Sequence, residues 1–158
     1  MKKVKILMVC LGNICRSPMA EGLMKSKIEK YKLDVSVDSA GFESFHTGDP
    51  PDERAIDIMK KHGIDITDQK SRLFRLADFR EFDRIYVMDS GNYRQVEMVA
   101  MDEEKMKKVD FILNSVKPGS NKVVPDPYYG GIDGFEKVYK LLDEATEKIA
   151  EQIKAGGH

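Results

Sequence analysis

The sequence has few of the residues that define several classes of protein. It contains two cysteines, three histidines and no tryptophan in 158 residues. Two thiols are too few for the disulfide framework of a small secreted protein. Two thiolates also leave a zinc site short of ligands, and no histidine has ligand spacing to them, so no metal site is expected. This cysteine usage fits a reducing compartment, and the expected location is the cytoplasm.

An excess of charge and long apolar runs are also missing. The 26 basic residues nearly cancel the 27 acidic ones, and the resulting net charge of -1 argues against binding to nucleic acid or through a polybasic membrane anchor. The apolar runs are of strand length, far below the ~20 residues of a membrane-spanning helix, and the start shows no cleavable signal pattern. Secretion that needs no signal would leave no trace in the sequence. We expect a monomer that binds neither nucleic acid nor membranes.

Segments with strand and helix patterns alternate along the chain. Apolar runs predict strands at 4–10, 35–41, 83–89 and 109–116, and helical spacing of apolar residues predicts helices at 17–32, 53–62, 71–80, 90–100 and 135–153. The alternation predicts an α/β fold of three layers, in which helices cover both faces of a four-stranded parallel sheet. One domain is expected over residues 1–155, followed by a disordered tail or tag remnant at 156–158.

Local signals mark the ends of two predicted helices. Ser17 is a favourable N-cap residue, and Pro18 suits the first helical position. Asp49 can cap the helix over 53–62, and Gly63 is suited to end it.

The stretch VCLGNICRSP joins the first predicted strand to the first predicted helix and contains both cysteines, Cys10 and Cys15. Ligands of open α/β sheets bind at this kind of turn, where backbone N–H groups and a helix N-terminus attract anions. Gly12 and Asn13 tolerate the left-handed backbone that such a loop requires. Arg16 can clamp two phosphate oxygens, and with the N–H dipoles it would hold Cys10 as a thiolate.

Taken singly, these residues are more typical of a buried structural cysteine and an ordinary turn. The Gly-Lys-Ser/Thr ending of a nucleotide-binding P-loop is absent. Taken together, the pattern Cys-x5-Arg-Ser between a strand and a helix favours phosphoryl chemistry, with a phosphate-binding loop after the first strand.

This loop, together with VPDPYYGG near the C-terminus, resembles the low-molecular-weight protein tyrosine phosphatase family, and DSAGF, GDPPDERA and YVMD extend the resemblance over nearly the whole chain. The resemblance implies a four-stranded parallel sheet, no cofactor, and hydrolysis of phosphotyrosine monoesters through a phosphocysteine intermediate. It implies tyrosine-phosphorylated proteins as substrates and a tyrosine kinase as the enzyme that phosphorylates them.

The resemblance assigns three catalytic roles. Cys10 matches the nucleophile, Arg16 the phosphate clamp and Asp126 the general acid, which later acts as the base on water. A phenol has a pKa near ~10, so protonation of the leaving tyrosinate should contribute roughly 10²–10⁴-fold to the rate. Pro125 and Pro127 restrict the backbone beside Asp126. Without the phosphate-binding loop, an Asp-Pro pair would simply predict a turn.

The resemblance also assigns supporting residues. Ser17 matches a hydroxyl that donates to the thiolate, and Asn13 matches the residue that holds the curl of the loop, supported by Ser39. Cys15 matches a second thiol that forms a reversible disulfide with Cys10 and protects it from over-oxidation, although a plain structural thiol is the alternative. The other phosphate-binding positions of the loop are Leu11, Gly12 and Ile14.

Four residues are expected to line the substrate pocket: Leu11, Phe45, Tyr128 and Tyr129. In the family such paired tyrosines wall the pocket and can be phosphorylated, and core packing is the alternative for one of them. Many relatives have tryptophan where this chain has Phe45, which affects the preference for peptide flanks rather than the reaction.

Three other functions are compatible with an anion-binding loop. Thioredoxin-coupled arsenate reductases need relay thiols, and this chain has no cysteine besides Cys10 and Cys15. Protein-arginine phosphatases resemble the same loop with threonine where this chain has Ile14, and Tyr128 after Asp-Pro favours an aryl phosphate. A non-catalytic phosphotyrosine reader would need neither Cys10 nor Asp126. The tyrosine phosphatase interpretation is therefore preferred.

Overall fold

The computed structural model of the protein describes residues 3–129 and 131–156. Four parallel strands form one sheet in the order β2-β1-β3-β4, which confirms the predicted α/β fold. The strands are β1 (Val4–Val9), β2 (Val35–Ala40), β3 (Arg84–Val87) and β4 (Val109–Phe111). Positions 157 and 158 of the expected tail lie outside the described residues, and so does the side chain of Tyr129.

Helices connect the strands and extend the chain after β4. The α-helices in the described part of the chain are α1 (Arg16–Tyr31), α2 (Glu53–Lys61), α3 (Asp78–Glu81), α4 (Ser90–Ala100), α5 (Glu103–Met106) and α6 (Gly131–Lys154). Within residues 3–129 and 131–156, no helix is both long enough and apolar enough to cross a membrane.

The central strand β1 is buried on both faces, and its alternate side chains belong to two apolar clusters. Ile6 and Met8 pack in the cluster that includes α1, α2 and α6. Leu7 and Val9 pack in the cluster that includes α3 and α4. A strand covered on both faces reads as a continuous apolar run, which is why this segment could be predicted from the sequence.

The register aligns the carboxyl ends of the inner strands. Val9 of β1 lies opposite Ala40 of β2 and Val87 of β3. The residues that follow these positions therefore meet at one edge of the sheet, where α/β folds bind ligands. Cys10 is the first residue after β1 and lies at this edge.

Two predicted helix caps are wrong. Helix α1 begins at Arg16, so Ser17 lies in its first turn, and the N-cap position is occupied by Cys15 without a side-chain capping bond. Asp52 rather than Asp49 caps α2, because its carboxylate accepts the backbone N–H of Arg54. The hydroxyl of Ser17 is thus available to other partners at the edge of the sheet.

The C-terminal half departs from prediction in its boundaries. The apolar run predicted as a strand over 109–116 pairs only as far as Phe111, and Ile112–Ser115 forms a 3-10 turn that packs beneath α6. A short apolar run does not distinguish a strand from a buried turn. The helix predicted near 71–80 is reduced to α3, α5 was not predicted, and α6 begins at Gly131 rather than 135.

Candidate active site

Residues 10–15 form the loop between β1 and α1, and neighbouring segments hold it at both ends. The backbone N–H of Phe42 donates to the carbonyl of Leu11 at 2.7 Å, and that of Asp52 donates to the carbonyl of Ile14 at 2.8 Å. The segments after β2 and before α2 therefore fix the curvature that the sequence pattern predicts.

Asn13 has the left-handed backbone expected in the loop, with φ of 55°. Gly12 does not have it, so that part of the prediction is wrong. A Cβ on Gly12 would lie 2.9 Å from Oε1 of Glu43 and 3.3 Å from Cδ2 of His46, so a larger residue would displace these side chains, although the flexible end of Glu43 can move.

The side chain of Asn13 is buried and has three hydrogen-bond partners. Its Nδ2 donates to the hydroxyl of Ser17 at 2.8 Å and to that of Ser39 at 2.9 Å. Its Oδ1 accepts the backbone N–H of Arg72 at 3.1 Å. The structure thus brings together the three residues that the resemblance assigns to loop support.

Gly41, the residue after β2, makes this close approach possible. A Cβ at this position would lie 2.8 Å from the backbone nitrogen of Asn13 and 2.9 Å from the carbonyl oxygen of Leu11. Backbone atoms cannot move away as the tip of a flexible side chain can. Only glycine therefore lets the end of β2 support the loop from below.

The sulfur of Cys10 is buried at the start of the loop and faces the first turn of α1. It lies 3.0 Å from the hydroxyl oxygen of Ser17 and accepts the backbone N–H of the same residue at 3.4 Å. Two donors and a helix N-terminus therefore surround the position where negative charge would sit on sulfur.

Arg16 begins α1 and is only 3% exposed. Its Nη1 donates to Oδ2 of Asp89 at 2.7 Å and to the carbonyl oxygen of Val124 at 2.8 Å. Its Nη2 lies 3.9 Å from Oδ2 of Asp126. The guanidinium therefore joins the loop to the ends of two other segments.

Sequence reasoning missed Asp89, which also caps α4 by accepting the backbone N–H of Asn92. The available signal was its position two residues after β3, at the carboxyl edge of the sheet. Its carboxylate fixes the orientation of Arg16 through one nitrogen.

Asp126 lies between two prolines in the segment before α6, at the start of a 3-10 turn formed by Pro127–Tyr129. Its Oδ1 accepts the backbone N–H of Tyr128 at 3.0 Å, while Oδ2 faces Arg16. The carboxyl group is half-exposed. The structure thus places the predicted acid beside the predicted phosphate clamp.

Arg54 of α2 is a second residue that the sequence analysis missed. Its Nη1 donates to the carbonyl oxygen of Tyr128 at 2.9 Å, and its guanidinium lies 5.1 Å from the centre of the Tyr128 ring. The guanidinium also lies 4.8 Å from the centre of the Phe135 ring and pairs with Asp52. These contacts tie the segment that carries Asp126 to α2.

Three of the four predicted pocket-lining residues, Leu11, Phe45 and Tyr128, are exposed at the surface. Leu11 is 36% exposed and Tyr128 is 44% exposed, as expected for residues at a rim. Phe45 is 73% exposed, and its ring lies 4.4 Å from that of His46 rather than in the core.

Cys15 is a buried free thiol at the end of the loop. Burial raises its pKa far above the ordinary value, and electrostatic interactions with Asp52, Cys10 and Asp126 raise it further. Arg54 opposes the effect without reversing it. Cys15 is therefore a neutral thiol at neutral pH.

Comparison with known proteins agrees with this geometry. A family model described as low molecular weight phosphotyrosine protein phosphatase matches residues 5–157. The chain is 39% identical to the phosphatase of that name from Schizosaccharomyces pombe over 155 residues, which cover 96% of this chain and 98% of the relative.

Solved structures show the same similarity. YfkJ from Bacillus subtilis matches with a TM-score of 0.92 and 32% identity, covering 100% of this chain and 99% of that chain. The arginine phosphatase YwlE, in a mutant with a phosphorylated active-site serine, matches with a TM-score of 0.86 and 28% identity, covering 96% of each chain. By its family match and its similarity to the curated relative, the chain belongs to the low molecular weight phosphotyrosine protein phosphatase family, whose members are hydrolases.

Proposed function

We propose that the protein hydrolyses phosphotyrosine in proteins through a phosphocysteine intermediate. The observation that carries the proposal is the convergence of Cys10, Arg16 and Asp126 at one edge of the sheet. The sulfur faces two donors of Ser17, and Asp126 lies 3.9 Å from Arg16. This arrangement combines a nucleophile, an anion clamp and an acid, as phosphate monoester hydrolysis requires.

In the first step, the Cys10 thiolate attacks phosphorus, so that the S–P bond forms as the bond to the tyrosyl oxygen breaks. Asp126, protonated at this stage, gives its proton to the leaving oxygen, which would otherwise depart as a poorly stabilised phenolate. Arg16 and the loop N–H groups hold the phosphoryl oxygens. Because Asp89 occupies Nη1 of Arg16, the phosphate would contact the Nη2 and Nε side of the guanidinium.

In the second step, water attacks the phosphocysteine and Asp126 takes the proton of that water. The S–P bond breaks, inorganic phosphate leaves, and Cys10 departs as a thiolate. The hydroxyl of Ser17 lies 3.0 Å from the sulfur and donates to it as its charge develops. The leaving sulfur is thereby stabilised by a group that is already in place.

The substrate class follows from the rim of the pocket. Tyr128 is half-exposed directly after the acid-bearing Asp126-Pro127 pair, where it can stack on the ring of a phosphotyrosine. Ile14 provides no hydroxyl for the nitrogen of phosphoarginine. Because an arginine phosphatase has the same fold, the fold does not distinguish the two substrate classes, and the preference for an aryl phosphate rests on these side chains.

We also propose that Cys15 protects Cys10 during oxidation by hydrogen peroxide. Peroxide oxidises the Cys10 thiolate to a sulfenic acid and releases hydroxide. Cys15 then gives its proton to the departing hydroxyl as its sulfur attacks the sulfenic sulfur, the disulfide forms, and water leaves. Because the pKa of Cys15 is raised, this second step is slower than for an ordinary thiol. The raised pKa of Cys15 directs the initial oxidation to Cys10, because the thiolate is the reactive form.

The testing experiment compares para-nitrophenyl phosphate, a phosphotyrosine peptide and phosphoarginine without added metal. Asp126→Ala should reduce turnover of the phosphotyrosine peptide by roughly 10²–10⁴-fold, and Cys10→Ser should abolish turnover of both aryl phosphates. Preference for phosphoarginine would replace the proposal with an arginine phosphatase. Binding of the phosphotyrosine peptide without any turnover would replace it with a reader.

A further inference from the structure

The buried carboxyl group of Glu21 has no place in the mechanism above. Glu21 lies in α1, five residues after Arg16, and is only 4% exposed. Its Oε1 accepts the hydroxyl of Ser39 at 2.6 Å, and its Oε2 pairs with the ammonium of Lys25 at 2.6 Å. Burying a carboxylate is costly unless it is paired and hydrogen-bonded, so a residue kept here calls for a physical reason.

Glu21 is connected to Cys10 through a continuous series of buried hydrogen bonds, which we name the Glu21 chain. Its members are Glu21, Ser39, Asn13 and Ser17, and it ends at the sulfur of Cys10.

The direction of each bond in the Glu21 chain follows from its donors. Oδ1 of Asn13 accepts a backbone N–H, which fixes the amide so that Nδ2 donates to both Ser17 and Ser39. Ser39 receives this donation, and its own hydrogen goes to Glu21. Ser17 likewise receives a hydrogen from Asn13, so its own hydroxyl hydrogen is directed to the Cys10 sulfur.

We propose that Glu21 is a positioning residue for Cys10: by accepting the hydroxyl hydrogen of Ser39, it fixes the direction of the Glu21 chain so that the chain ends in a donor to the sulfur. The inference rests on the proposed function, because it concerns the nucleophile of that reaction. Without an acceptor at position 21, the hydrogen of Ser39 would turn toward Nδ2 of Asn13 and repel it. The amide would stay bonded to Arg72 through Oδ1 but would shift from its position against Ser17.

Loss of the Glu21 charge by itself would change the reactivity of Cys10 in the opposite direction from loss of the proposed hydrogen-bond chain. The charged groups around Glu21 are Lys25 of α1 and Asp38 of β2, with Asp68 acting on Lys25, and the neighbouring thiol of Cys15 interacts electrostatically with Cys10. Removing the negative charge of Glu21 would favour a thiolate at Cys10 by simple electrostatics. Loss of the directed donor would disfavour it. The sign of the change therefore separates the two effects.

The test is the rate of Cys10 alkylation by iodoacetamide between pH 5 and 9, with the modified cysteine identified by peptide mass mapping. In Glu21→Met, which has no acceptor at this position, the rate near neutral pH should fall about 3- to 10-fold, the range expected for loss of one hydrogen bond, and the rates should converge at high pH. In Glu21→Gln, whose amide oxygen still accepts the Ser39 hydroxyl, the rate should stay near that of the wild type. Glu29→Gln removes the same charge from an exposed position of α1 and should leave the profile unchanged. An unchanged or faster rate in a folded Glu21→Met protein, or an equal fall in Glu21→Gln, would overturn the proposal.

A double-mutant cycle tests whether Glu21 acts through Ser39. Ser39→Ala should slow alkylation to a similar degree, and adding Glu21→Met to it should have no further effect. Additive effects would overturn the proposed route. Alkylation of Cys10 does not depend on turnover, so these experiments test the role of Glu21 even if the wild type fails to hydrolyse aryl phosphates. Failure to hydrolyse aryl phosphates would refute the proposed function alone.

Discussion

Asn13 combines two requirements that rarely fall on one residue. Its backbone is left-handed, and its amide donates to two hydroxyls while accepting a backbone N–H. Glycine would meet the first requirement only, and an ordinary residue with a side chain meets neither well. Asparagine is among the few residues that tolerate this backbone and carry a donor and an acceptor.

Two substitutions separate these requirements. Asn13→Gly keeps the backbone favourable but removes the buried hydrogen bonds, whereas Asn13→Ala loses both. We expect Asn13→Ala to be less stable than Asn13→Gly by about 1 kcal/mol, measured by urea unfolding. Both should reduce kcat for para-nitrophenyl phosphate by a similar factor, about tenfold for each 1.4 kcal/mol of lost transition-state stabilisation. Equal stability of the two variants would show that the left-handed backbone places no demand on residue 13.

At the scale of elements, the sequence predicts strands and helices where an apolar pattern is long or continuous. Strand β1 and helix α4 fall where expected, because burial determines their pattern. The end of β4 and the start of α1 do not, because pairing and capping depend on contacts from distant parts of the chain. Ser17 is a good cap by composition, but in the fold its hydroxyl bonds with Cys10 and Asn13 instead.

Site residues, like secondary-structure elements, could be predicted where the signal is local and could not where it depends on distant contacts. Cys10, Arg16 and Asp126 could be proposed from local motifs and a family resemblance. Asp89 and Arg54 could not be assigned a role, because they act through partners far away in sequence, Arg16 and Tyr128.

Helix α2 positions the acid segment through Arg54. The guanidinium bonds with the Tyr128 carbonyl and packs on two aromatic rings, and the N–H of Tyr128 holds one oxygen of Asp126. A lysine has a charge but lacks the planar fork that meets these partners together. Loss of Arg54 should therefore displace the acid and leave the phosphate-binding loop intact.

We expect Arg54→Lys to lower kcat/KM, which reports only the steps up to the phosphocysteine, by about tenfold for a phosphotyrosine peptide. For para-nitrophenyl phosphate kcat/KM should fall much less, since the nitrophenolate leaves more readily without a proton. Asp126→Ala should show the same pattern with a larger effect. Arg80→Lys, at an exposed position of α3, is the matched control and should change neither rate. If Arg54→Lys lowers kcat/KM equally for both substrates, Arg54 does not act through Asp126.

At the scale of the whole molecule, the site contains buried polar groups on the same elements, α1 and β2, that contribute apolar residues to the core. Residues 4–9 and α1 provide apolar contacts to the core, while the Glu21 chain begins with a buried hydrogen bond between α1 and β2. Burial raises the pKa of Glu21, and the hydrogen bonds from Lys25 and Ser39 oppose this only in part. The fold thus keeps a carboxyl group where its ionised form is less stable than in water.

The raised pKa of Glu21 predicts the direction in which the free energy of unfolding changes with pH. In the unfolded chain Glu21 loses its proton near pH ~4.3, whereas in the folded protein it keeps the proton to a higher pH. Between the two pKa values the folded state binds more protons, so the contribution of Glu21 to the free energy of unfolding falls as pH rises, and it is constant above the folded pKa.

Glu21→Gln does not titrate. Its free energy of unfolding relative to wild type should therefore rise by about 1.4 kcal/mol for each pH unit between the two values. Urea unfolding from pH 4.5 to 8 measures this difference, with Glu29→Gln as the control. A difference that is constant or falls with pH would mean that the fold does not disfavour the Glu21 carboxylate, and the carboxylate would then be retained at no cost to stability.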